Sequence, residues 1–113
     1  MHVTRFGEAP EYMAPGHIGM RCLRMLGKES GPADFAWMGL SIIESGGSIE
    51  AAASPFEKLY LVLDGELEFR TPGESNWLTK WDACRVAPNE ERTIVNLSSH
   101  QATVMLVMAN IQL

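Results

Sequence analysis

Histidine is scarce in this chain, with 3 in 113 residues, and none of His2, His17 and His100 lies at metal-ligand spacing from another. An imidazole-based metal centre therefore has few donors to draw on. Only two cysteines are present, Cys22 and Cys84, in unrelated contexts. They read as free thiols in a reducing compartment, which points to the cytoplasm. Positive charge is also short, with 9 Lys and Arg against 14 Asp and Glu and a formal net charge of -5. A nucleic-acid partner is not expected, because phosphate binding needs a basic surface. No apolar run reaches membrane-spanning length, and the opening MHVTRFGEAPEY has no apolar signal core, so no membrane association is expected.

What is present is a series of short apolar strands. The length fits one domain, 1–113, with an arm and first strand over 1–34 and a barrel over 35–109. Residues 1–20, with Pro10 and Pro15, read as an irregular arm laid over the domain or a neighbour. MRCLRMLG (20–27) fits a strand or a short helical turn. FAWMGLSII (35–43) is a strand apolar on both faces, broken by Gly46-Gly47. FEKLYLVL (56–63), Asp64-Gly65 and ELEFRT (66–71) predict a hairpin, since Asp-Gly supplies the positive backbone angles of a two-residue turn. Pro72-Gly73 marks the next turn, before NWLTK (76–80), ACRVA (83–87), RTIVN (92–96) and ATVMLVMA (102–109). Short strands without a long helix predict an all-β barrel or sandwich.

Two spacings sharpen this. GGSIEAAASPFEKLYLVLDG (46–65) fits G-x5-H-x-H-x3-E-x6-G without a gap if Ala52, Ser54 and Lys58 take the His, His and Glu positions. WDACRVAPNEERTIVN (81–96) fits G-x5-P-x-G-x2-H-x3-N loosely. Trp81 and Asn89 take its glycines, Ala87 its proline and Arg92 its histidine, and Asn96 matches the asparagine. These patterns resemble the two signatures of the cupin superfamily, in its small conserved-barrel group, with the metal ligands substituted. The resemblance implies a single cupin-like β-barrel, a double-stranded β-helix or jelly roll, with an irregular N-terminal arm.

The resemblance also implies that the ligand positions point into the barrel. Side chains alternate faces along a strand, so Lys58, Tyr60 and Val62 share the inward face. Ala52 and Ser54 line one neighbouring strand, and Arg92 and Ile94 another. Alanine has no donor atom, serine is a poor ligand, and lysine and arginine are cations. No metal and no cofactor are therefore expected; only His17 folding beside Glu50 or Glu57 would offer donors. The candidate ligand-binding residues are Ser54, Lys58, Tyr60 and Arg92. Lys58 and Arg92 either hold a carboxylate or phosphate between them, or reach water at the mouth and pair with Glu57, Glu90 or Glu91. A one-residue shift would instead turn Glu57 inward as a general base. Tyr60 either meets the ligand or forms wall. Ser54 has no histidine–acid partner that would make it a nucleophile. Cys84 lines the barrel by parity, as a small buried apolar residue. His17 sits at the mouth or in a surface turn, and Trp37, Trp77 and Trp81 line a pocket or pack the core. Catalytic residues cannot be named.

Leu59, Leu61 and Leu63 on the opposite face, with an apolar last strand, predict a homodimer. The expected function is a metal-independent cupin that binds a small anionic or aromatic metabolite, as an isomerase or lyase. The alternative is a non-enzymatic accessory module whose barrel is filled by its own side chains.

Overall fold

The computed structural model describes residues 1–111. Among them, nine strands form one rolled sheet: β1 Glu11–Tyr12, β2 His17–Leu26, β3 Ala36–Ala52, β4 Lys58–Asp64, β5 Glu66–Thr71, β6 Glu74–Thr79, β7 Ala83–Val86, β8 Arg92–Val95 and β9 Ala102–Ala109. The order is β6-β5-β8-β3-β9-β4-β7, with β2 on β3 and β1 on β2. Helical structure among the described residues is two single 3-10 turns, Phe6–Glu8 and Lys28–Ser30. The sheet closes almost completely into an antiparallel β-barrel, as the sequence predicts. Its open seam lies between β6, which pairs with β5, and β7, which pairs with β4.

The core lies inside the barrel. Ile43, Val62, Leu67, Ile94 and Val104 are all 0–1% exposed. They come from β3, β4, β5, β8 and β9, each from the face that strand alternation assigns inward. Asn96 is buried among them and holds the turn after β8. Its amide donates to the carbonyls of Ile43 (3.0 Å) and His100 (2.8 Å). Its oxygen accepts from the Ser98 amide (3.0 Å) and hydroxyl (2.7 Å).

Three local expectations are corrected. Gly46-Gly47 does not end a strand: β3 runs 17 residues through it and changes partner, from β9 over Ala36–Ile43 to β8 over Ser48–Ala52. Residues 56–71 are not a hairpin, because β4 is taken on both edges by β7 and β9 and β5 pairs with β6 and β8. Gly65 instead turns the chain from one side of the barrel to the other at φ +75, where a Cβ would stand 2.8 Å from the Gln101 carbonyl. The two-residue hairpin turn is Pro72-Gly73, which joins Thr71 to Glu74, so β6 begins two residues before Asn76.

The segment 20–27 resolves as strand, and the arm is more ordered than its composition suggests. β1 pairs with β2, Pro10 accepts from the Arg24 amide (2.8 Å), and His2 donates to the Ser30 carbonyl (2.8 Å). Trp81 (φ 74) and Asn89 (φ 64) both adopt left-handed backbone. These are the two glycine positions of the second spacing pattern, so the backbone keeps the turn while the residue has changed.

Candidate functional site

β4 alternates as expected: Lys58, Tyr60 and Val62 are buried, while Leu59 is 45% exposed on the outer face. The inward residue is therefore Lys58. Glu57 is exposed and pairs with Arg85, which removes it as an interior base. On β8, Arg92 and Ile94 face inward, and Arg92 stands opposite Ala52 of β3. Ala52 itself is exposed, so it does not line the interior as expected.

The four candidate residues form two hydrogen-bonded pairs. Lys58 Nζ donates to Ser54 Oγ at 2.7 Å. Arg92 Nε donates to Tyr60 Oη at 3.1 Å, and its Nη1 donates to the Glu50 carbonyl at 3.2 Å. Lys58 and Arg92 are each only 6% exposed. The ion pairs among the described residues join Arg21 to Glu11, Arg24 to Glu29, Arg70 to Glu68 and Arg85 to Glu57. Neither interior cation has an acid partner there, so the pairing with Glu57, Glu90 or Glu91 at the mouth is not what the structure shows. Burial, with the Arg92 charge added to it, lowers the Lys58 pKa from its ordinary 10.5. Burial raises that of Tyr60, against the opposing pull of Arg92, so the phenol stays protonated at neutral pH.

A cavity of about 410 Å³ opens along the seam. Arg92 lies in its wall beside Phe69, Leu78, Cys84 and Val86, and Glu74, Asp82 and Glu90 also line it. Lys58, Tyr60 and Ser54 are not in its lining; Tyr60 stands behind, in contact with Arg92 and edge-on to Phe69. Cys84 is half-buried, and burial pushes its thiol up to about 11, with Glu90 adding to the rise. It is a wall residue and not an activated nucleophile. Glu90 escaped the sequence reading as a site residue. Its one signal was its place two residues before Arg92, and a loop position does not show which way a side chain turns.

His17 lies half-buried opposite Ile49. Its Nδ1 donates to the Pro15 carbonyl (2.8 Å), and burial lowers its pKa, opposed by that hydrogen bond and assisted by Arg92. Trp37 is buried and stacks edge-on with Tyr12, with the Arg24 guanidinium 3.7 Å from the Tyr12 ring centre and 4.3 Å from that of Trp37. Trp77 lines the seam cavity, its Nε1 bonded to Glu66 at 3.1 Å, and Trp81 is 65% exposed.

A metal ion at the family's ligand positions does not fit this donor set. Ala52 offers no atom, Ser54 Oγ already receives the Lys58 ammonium, and Lys58 and Arg92 would repel a cation. Among the described residues no group of three or more His, Cys, Asp or Glu is arranged to hold one.

A β-barrel with this strand order, left-handed turns at all four glycine positions of two linked spacings, and a site on the inward faces of β4 and β8 defines the class: the chain has the cupin fold. No family model matches the sequence. It is 36% identical over 110 residues to "Beta-D-galactosidase Rv1717" of Mycobacterium tuberculosis, covering 97% of this chain and 95% of that protein. Among solved structures it superposes on the polyketide cyclase RemF from Streptomyces resistomycificus with a TM-score of 0.86 at 16% identity, over 98% of this chain and 80% of that one. An RmlC-like cupin from Shewanella frigidimarina gives 0.79 at 14% identity, over 99% and 93%.

Proposed function

We propose that this cupin binds a compact organic anion in its barrel, without a metal at the family's ligand positions. The carrying observation is Arg92, 6% exposed, without an acid partner among the described residues, and set in the wall of the cavity of about 410 Å³. An unpaired buried cation is costly, and a bound carboxylate or phosphate offsets that cost. The guanidinium fork matches such a group, and Lys58 adds a second positive charge behind it. Such a site supports isomerisation or elimination on the anion, because the two cations favour negative charge developing during reaction. Binding without turnover corresponds to an accessory module.

A thermal-shift screen of small carboxylates and inorganic phosphate tests the reading. A ligand at about 100 times its dissociation constant adds roughly 2.7 kcal/mol. Arg92→Ala removes the shift, Arg92→Lys restores little of it, and Lys58→Met weakens it with the fold intact. A shift that persists in both Arg92→Ala and Lys58→Met, or no shift with any anion, refutes the proposal.

The galactosidase name of the 36% identical relative supports a second reading. Glycoside hydrolysis uses two carboxyl groups, and the cavity carries those of Glu74, Asp82 and Glu90. Release of chromophore from a nitrophenyl β-D-galactoside, lost in Glu90→Gln, favours this reading; no release removes it.

A further inference from the structure

The seam cavity is cationic at one end and apolar along its floor. β6 and β7 are joined by residues 80–82 but do not pair, so the cavity lies between two free strand edges. Strand register orders the side chains that face it. Arg70 pairs with Thr93, which sets Thr71 and its partner Glu74 level with Arg92. Two residues along β5 comes Phe69, and two further comes Leu67, whose partner on β6 is Leu78. On the facing strand Val86 lies nearest Glu90, whose carboxylate accepts from the Ala87 N–H at 3.0 Å. Cys84 lies two residues further from it, opposite Tyr60 of β4.

Arg92 Nε and Nη1 are taken by Tyr60 and the Glu50 carbonyl, while Nη2 has no partner among the described residues. No buried side-chain nitrogen or oxygen there lacks a partner, so Nη2 is accessible from the cavity that Arg92 lines. Glu74 and Glu90 stand at the same end without pairing to Arg92. One positive charge is therefore open to a ligand, and a second negative charge beside it would meet two carboxylates. Away from that end the inward wall is Phe69, Leu78, Cys84 and Val86, with no cation among them. From the level of Thr71 to that of Leu67 the strand advances about 13 Å.

We infer that the ligand is a monocarboxylate with an apolar body, its head on Arg92 and its body laid along Phe69, Cys84, Val86 and Leu78. The span of the wall suits a body of about six to eight carbons. The inference rests on the anion-binding reading and narrows it. A hydroxylated body would set polar groups against an apolar floor, and a diacid would place a second charge there without a cation to meet it.

NMR titration of the full chain with straight-chain monocarboxylates of four, six, eight and ten carbons, each beside its diacid and its ω-hydroxy acid, tests this. Affinity rises about two- to fourfold per added carbon, the upper figure being that of a fully buried CH2, and levels off near eight. The diacid and the ω-hydroxy acid each bind more weakly than their parent. Cys84→Phe fills the floor, so the eight-carbon acid falls to the affinity of the four-carbon acid, which itself changes little. Cys84→Ser keeps the volume and lowers eight-carbon affinity part of the way, and it serves if the larger side chain disturbs the fold. Arg92→Ala abolishes binding at every length. Affinity that is flat or falls with length overturns the inference and leaves the anion site standing. So does a slope unchanged in both Cys84 variants, or a diacid or hydroxy acid that binds as tightly as its parent. If no carboxylate binds, or if binding survives Arg92→Ala, both readings fall.

Discussion

Lys58→Met should make the empty protein more stable. Lys58 is 6% exposed and bonded to Ser54 Oγ at 2.7 Å, with no acid partner among the described residues. An interior ion costs several kcal/mol in desolvation, while a charge-assisted hydrogen bond returns about 1.5–3 kcal/mol. Methionine keeps the unbranched stem and removes both terms. Ser54 Oγ retains its contacts with the Phe56 carbonyl and amide, both 3.3 Å, so no new orphan is created. The expected net gain is about 1–2 kcal/mol, which raises Tm by roughly 4–8 °C for a domain of this size. The pH dependence gives an independent check. The folded pKa of Lys58 lies below its unfolded value of 10.5. Below the folded pKa both states hold the proton and the burial penalty is complete. Between the folded pKa and 10.5 the folded chain releases the proton while the unfolded chain keeps it, so wild-type stability gains as pH rises. Tyr60 and Cys84, raised by burial, act in the opposite sense at high pH, but they are common to both proteins and cancel in the difference. Denaturation in buffer free of carboxylate and phosphate should show a gap between variant and wild type that is widest near neutral pH and closes towards 10.5. A lower Tm for Lys58→Met, or a gap that ignores pH, would refute the reasoning.

Asn96→Ala should cost about 3 kcal/mol in urea denaturation, because it strips the four hydrogen bonds of a fully buried side chain; a loss under 1 kcal/mol would contradict this. Trp81→Gly should raise stability by about 0.5–1 kcal/mol, since the left-handed backbone there, φ 74, suits glycine and the side chain is 65% exposed. Loss of stability would show that the contact of Lys80 with the Trp81 ring matters more than the backbone. A homodimer is proposed through the outer face of β4 and the neighbouring Phe35, which is 88% exposed. Sedimentation at micromolar concentration should report about twice the 12.5 kDa chain mass, falling to one chain in Leu59→Asp with Phe35→Asp; a monomeric wild type would end the proposal.

Period-two alternation made much of this fold legible. It put Lys58 and Tyr60 on one face and Glu57 on the other, the resemblance made the first of these the inward one, and the apolar run ATVMLVMA bounded β9 at 102–109. The spacing from Gly46 to Gly65 and the match at Asn96 identified the barrel although the ligand residues had changed. Strand partners were not legible. Asp64-Gly65 satisfies the local rule for a hairpin turn, but the competition of β7 and β9 for β4 is a property of the whole sheet. Gly46-Gly47 bends a strand that both halves of the barrel hold in place, so the break is in partners and not in the strand. The cavity was hidden for the same reason. Residues of β6 and β7 line one cavity only because those strands end the sheet on facing sides.

The unpaired seam has a mechanical meaning. The β5–β6 hairpin joins the remaining barrel through three registered residues, Glu68, Phe69 and Arg70, against Val95, Ile94 and Thr93 of β8. Its far edge, β6, has no strand beyond it. It is a leaf hung along one side, whereas β4 is clamped between two neighbours. Along the seam the leaf is held by side-chain packing, through Leu67, Phe69 and Leu78 in the core, and not by strand pairing. Asn76 also rides on it, while Arg92 stands on β8. The width of the cavity is thus set by apolar packing, and the position of its cation by the hydrogen bonds to Tyr60 and the Glu50 carbonyl.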